Sequence, residues 1–156
     1  MRYSIRLLVT LVSLLSLAAP SWAQSAPDPA SSPYFTTFGG GIAFLPETNP
    51  PSPIYTLSLD LKKNIPAGAV AVAEFENPVD KSRPLSATYV FKPNEQRIRF
   101  ISPKLSCVNN ERNYQILVTL YSNAKRTRTL GTHAQAINFT MTPAQLEEYN
   151  IPLCKK

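Results

Sequence analysis

The sequence predicts an all-β protein: a single antiparallel β-sandwich of about seven strands, with one short helix at its C-terminal end. Three observations lead there. Apolar and polar residues alternate in short runs, as strands with one buried face require. Clusters of Pro, Asn, Ser and Gly separate these runs at intervals of roughly ten to fifteen residues, the spacing of sandwiches and barrels. The one clear helix start lies near the end of the chain, so no long helices interleave with the strands. A length of 156 residues suits one domain, and 15 prolines disfavour a helical bundle.

The chain opens with a cationic stretch carrying Arg2 and Arg6. An apolar run over residues 7–19 follows, and Ser21 and Ala23 give the small-residue spacing that a signal peptidase reads. The run is shorter than the roughly 20 apolar residues that span a bilayer. Residues 1–23 are therefore expected to be a signal peptide, of bacterial style, and the protein to be periplasmic or secreted. Removing Arg2 and Arg6 leaves fourteen Lys+Arg against ten Asp+Glu, a charge of +4. Residues 24–33 (QSAPDPASSP) show no apolar periodicity and read as a flexible leader. The sandwich domain is expected over residues 34–156, with no membrane span after cleavage.

The elements follow in order. Residues 34–38 begin the first strand; Gly39, Gly40 and Gly41 interrupt it with a bulge or kink, and residues 42–45 resume it. Residues 46–53 form a stiff proline-rich connection. Residues 54–61 are the cleanest strand, with Tyr55, Leu57, Leu59 and Leu61 on one face and Thr56, Ser58 and Asp60 on the other. Residues 69–75 are small and apolar on both faces, as a central strand would be. After a polar loop, Ala87, Tyr89 and Phe91 alternate with polar residues. The short turn 93–96 and the run 97–101 then suggest a hairpin. Residues 114–121 form a buried strand, 122–127 a turn, and 128–140 a long return strand in which Gly131 marks a bulge or bend. Thr142, Pro143 and Gln145 spell a capping box with proline at the first helical position, starting a helix of about two turns.

The pattern of Tyr114, Ile116, Val118, Leu120 and Tyr121, then a turn and a returning strand, resembles the last hairpin of immunoglobulin-like and fibronectin-III modules. The resemblance covers about 30 residues. It implies that Tyr114 is a corner tyrosine whose hydroxyl bonds the backbone upstream. It implies an architecture and no function, because such folds host many functions.

Cys107 and Cys154 are the only cysteines, and an exported chain meets oxidising conditions, so they are expected to form one structural disulfide. With a single histidine and no ligand cluster, no metal or other cofactor is expected. His133 is the sole candidate base, and no G-x-S-x-G surrounds a serine, so it reads as a strand residue sharing a face with Gln135, Ile137 and Phe139. Glu74 and Glu76 share one face of a strand, with α-carbons roughly 6.5–7 Å apart. That pairing could serve glycoside hydrolysis, but the processed chain has no tryptophan with which to stack a sugar. Asn138 begins an N-x-[ST] acceptor pattern that would matter only in a eukaryotic secretory pathway.

The basic groups remain. Arg97 and Arg99 share one strand face, and Lys125, Arg126 and Arg128 crowd the last turn. They could meet an anionic partner, or serve as a solvated face that protects sheet edges. Nucleic acid is excluded as a partner by the export signal and the lack of an aromatic-basic binding motif. The leading expectation is an exported, non-enzymatic module acting through protein or cell-surface contacts. The alternatives are a binder of an anionic glycan or lipid through the basic face, and a small secreted hydrolase using His133 or Glu74 and Glu76.

Overall fold

The computed structural model describes residues 32–155, so the expected signal segment 1–23 and most of the leader lie outside the described residues. Seven strands and one helix are present: β1 (Phe35–Leu45), β2 (Ser52–Leu61), β3 (Val70–Phe75), β4 (Leu85–Val90), β5 (Arg97–Ile101), β6 (Arg112–Tyr121), β7 (Thr129–Phe139) and α1 (Pro143–Glu148). They form two antiparallel sheets, ordered β1-β2-β5 and β4-β3-β6-β7. This is the all-β sandwich that the alternation predicts.

The core lies where the two inner faces meet. Tyr55, Leu57 and Leu59 of β2 and Ile98 and Phe100 of β5 come from one sheet, and Ala71, Ala73 and Phe75 of β3 with Ile116, Val118 and Leu120 of β6 from the other. Alanines on β3 let the sheets approach, and the Tyr55 ring fills the middle. It stacks on Phe75 at 5.5 Å between centroids and tilts against Tyr114 at 5.4 Å. Aromatic pairs at such distances contribute beyond their buried area.

The glycine run acts as its sequence suggests. The β1–β2 register slips between Thr37 and Gly39, leaving Phe38 as the extra residue of a bulge. Gly40 then faces the other sheet, where a Cβ would sit 3.3 Å from Leu57 Cδ1 and 3.4 Å from Ile137 Cδ1. The β6–β7 register slips at Leu130, beside Gly131. A Cβ on Gly131 would lie 2.9 Å from the Tyr34 ring, so the glycine admits the start of β1 against β7.

One sequence expectation is corrected. β4 and β5 do not form a hairpin: β4 pairs with β3 in one sheet and β5 with β2 in the other. The turn between them carries Asn94 at φ 62° and crosses the end of the sandwich. Strand, short turn, strand reads alike for a hairpin and a sheet switch. The switch wins here because it turns both apolar faces inward, so that the Tyr89 and Phe100 rings meet edge-on across the layers at 6.3 Å.

Past β7 the chain folds back over the opposite end. Asn110 clasps Met141, its amide donating to the Met141 carbonyl and its Oδ1 accepting from the Met141 N–H, both at 2.8 Å. α1 starts with the predicted capping box of Thr142 and Gln145. Cys107 and Cys154 are disulfide-bonded, and Val108 and Leu153 form a parallel bridge beside the bond. Leu146 and Ile151 pack on the core, whereas Tyr149 is 51% exposed. It leans over an apolar groove of about 350 Å³ lined with Phe44, Pro46, Pro51 and Met141.

Candidate functional site

His133 lies on the inner face of β7 and is 4% exposed. Its Nε2 is 2.8 Å from the Thr37 hydroxyl, which itself donates to Gln135 Oε1 at 2.8 Å. A hydroxyl has one proton, so His133 Nε2 must be the donor to Thr37, and Nδ1 carries the free lone pair. Nδ1 is buried without a hydrogen-bond partner. Burial first, and then the positive charge of Lys62, hold the imidazole below its ordinary pKa. The ring is thus a neutral clasp that ties β1 to β7, with Phe35 at its edge at 6.1 Å. As the sequence suggests, it shares its face with Gln135, Ile137 and Phe139.

Glu74 and Glu76 follow the outward positions of β3, between and beyond the buried Ala73 and Phe75. Glu76 is ion-paired to Arg112, accepts the Gln115 N–H at 3.2 Å and has Lys81 at 3.7 Å. The fold therefore points His133 between the sheets and the two glutamates away from them, so these three residues share no cavity.

The basic residues are placed differently. The antiparallel register brings three loops to one end of the sandwich: β2–β3, β4–β5 and β6–β7, together with the start of β1. Lys62 and Lys63 stand on the first loop, Lys92 on the second, and Lys125, Arg126 and Arg128 on the third, all exposed. Arg97 opens β5 at the same end. Seven cations there face two carboxylates, Asp60 and Glu95. Both acids are engaged within the fold. Asp60 takes the Arg97 Nε at 2.6 Å, which holds its carboxyl below the usual range. Glu95 accepts from the Tyr89 hydroxyl and from the Lys92 N–H at 2.9 Å; the Tyr89 phenol is pushed up to about 12, mainly by that bond.

The opposite end is different in charge. Its loops hold Glu47, Glu76, Asp80 and Glu111, with Glu147 and Glu148 on α1, interleaved with a smaller number of Lys and Arg. The sandwich is therefore polarised along its strands.

Aromatic rings accompany the basic end. Lys63 Nζ sits 4.2 Å over the Tyr34 ring, Arg126 lies 5.8 Å from Tyr121, and Arg97 caps Phe38 at 3.4 Å. Phe38, in the β1 bulge, is still 62% exposed. Of the five basic residues singled out from sequence, Arg97, Lys125, Arg126 and Arg128 share this end. Arg97 and the last turn sit on different sheets, bridged by the β2–β3 loop. Arg99 lies one outward position further along β5, its Nε 3.4 Å from the Ser58 hydroxyl. From sequence, Lys62 and Lys63 read as loop residues and Lys92 as a polar position alternating with Tyr89 and Phe91; the signal that joins them is the register, which spacing alone does not reveal.

No protein-family model matches this chain, and no curated protein is significantly similar to it. Among the described residues there is no helix long and apolar enough to cross a membrane, and no His, Cys, Asp and Glu cluster of metal-binding size.

Proposed function

We propose that this chain is exported, processed near Ala23, and works as a non-catalytic β-sandwich module of the immunoglobulin-like kind through contacts with a cell-envelope or cell-surface partner. The observation that carries this reading is the segregation of charge, with exposed Lys and Arg on three loops at one end and most acids at the other. Such an arrangement orients a molecule against a charged partner. The internal engagement of His133 with Thr37 and of Glu76 with Arg112 also supports a scaffold role for these groups over a chemical one. The corner bond of Tyr114 and the strand order support the immunoglobulin-like assignment. The Cys107–Cys154 bond agrees with an oxidising compartment, and the apolar run 7–19 with a bacterial export route.

The test is cell fractionation combined with intact-mass analysis. The expected result is a species beginning at Gln24, with an oxidised cysteine pair, that co-purifies with envelope material at low salt and is released at high salt. A cytosolic species that retains residues 1–23 would overturn the reading.

A further inference from the structure

Resting on the reading of a contact module, we infer that the basic end is a docking surface for anionic phospholipid headgroups, met end-on by the sandwich. Three observations favour a lipid surface over a compact anion.

The cations are spread over three loops and the start of β5, and only Lys62, Lys63 and Arg97 line a common groove. Gripping one phosphate or carboxylate needs several donors aimed at one point. The groove of about 580 Å³ at this end is lined by Asp60 and Glu95 as well as Lys62, Lys63 and Arg97, so a compact anion entering it meets two carboxylates. A plane of mobile headgroups needs no convergence; it needs exposed cations spread across a face.

Aromatic side chains rim the same end. Tyr34 and Tyr121 lie under Lys63 and Arg126, and the exposed Phe38 lies under Arg97. Amphipathic rings next to Lys and Arg suit the boundary between headgroups and acyl chains.

The chain enters the fold at this end. The Ser32 carbonyl accepts from Lys62 Nζ at 3.0 Å, and Ser32 is buried. Residues 20–31 connect it to the apolar run 7–19, and twelve residues reach at most about 40 Å. Before processing, the tether from that run therefore joins the domain at its basic end.

The experiment is co-sedimentation of the exported protein with vesicles of phosphatidylglycerol and phosphatidylcholine, with pure phosphatidylcholine vesicles and soluble dextran sulfate as comparisons. The expected result is binding to the anionic vesicles that weakens steeply with salt and is absent on phosphatidylcholine. At about fivefold per cation, Lys62→Ser with Lys63→Ser should lower the partition coefficient at least tenfold, and Arg126→Ser with Arg128→Ser should do the same independently. The pair Arg83→Ser with Lys104→Ser, at the other end, should change it less than twofold. Equal losses from both ends would overturn the proposal, since net charge alone would then explain binding. So would binding to dextran sulfate without binding to vesicles, which would make the ligand an acidic glycan and leave the contact module standing. Failure of the module reading itself would show separately, as a cytosolic species that retains residues 1–23.

Discussion

The hydroxyl of Tyr114 donates to the carbonyl of Asn109, five residues upstream, at 3.1 Å, and accepts the N–H of the same residue. One side chain thus closes the corner between β5 and β6 from the inside, with its ring in the core against Tyr55. This is the corner bond that the resemblance of the 114–121 hairpin to immunoglobulin-like modules implies.

Tyr114→Phe should therefore destabilise the fold by about 1–3 kcal/mol, because both main-chain groups of Asn109 lose their partner. Tyr55→Phe is the contrast. The Tyr55 hydroxyl is buried with no hydrogen-bond partner, and burial raises its pKa strongly. Removing it should leave stability unchanged or higher. Urea unfolding of both variants checks the pair; equal losses would refute the distinction.

The His133 clasp predicts a pH dependence. The imidazole is held below its ordinary value in the folded state, so the unfolded chain binds the proton more readily. The stabilising contribution is complete above about pH 6.5, the ordinary histidine value, and is lost progressively as pH falls below it. In His133→Gln that part of the stability profile should flatten. Thermal melting from pH 7.5 down to 5 measures it; an undiminished slope in the variant would show that another group is responsible.

Cys154→Ser should release the tail. The bond spans a sequence separation of 47 residues, for which loop-closure entropy gives on the order of 4 kcal/mol. The exchange-labile region should begin at Thr142, because Asn110 still clasps Met141 through two hydrogen bonds. α1 is too short to persist alone, so its amides should exchange rapidly while β2, β3 and β6 stay protected. Hydrogen exchange followed by mass spectrometry reads both, and a thiol assay on the unmodified protein should find no free cysteine.

Gly131→Ala tests the meeting of β1 and β7 at the basic end. The added methyl would lie 2.9 Å from the Tyr34 ring and displace it. The ring is only half-buried, so the stability loss should stay within about 1–2 kcal/mol. Displacement should also break the stacking of Lys63 on Tyr34. The ring-current shift of the Lys63 ε-methylene protons should then disappear from the NMR spectrum.

What the sequence determines by itself is local. Alternation places Tyr55, Leu57 and Leu59 inward and Thr56, Ser58 and Asp60 outward, because a strand's side chains have a period of two. Thr142 and Gln145 determine where α1 starts, because a capping box satisfies orphan amides within three residues. Gly40 and Gly131 lie beside the two bulges, but what each admits, Ile137 and the Tyr34 ring, is set by the packing of the sheets. Partner choice is another matter. That β5 leaves β4 for β2, that His133 meets Thr37 across 96 residues, and that Lys62, Lys63, Lys92 and the 125–128 turn share one end all depend on register and sheet order. Those are decided by which apolar faces bury best against each other. That is a property of the whole core, and no short stretch of sequence encodes it.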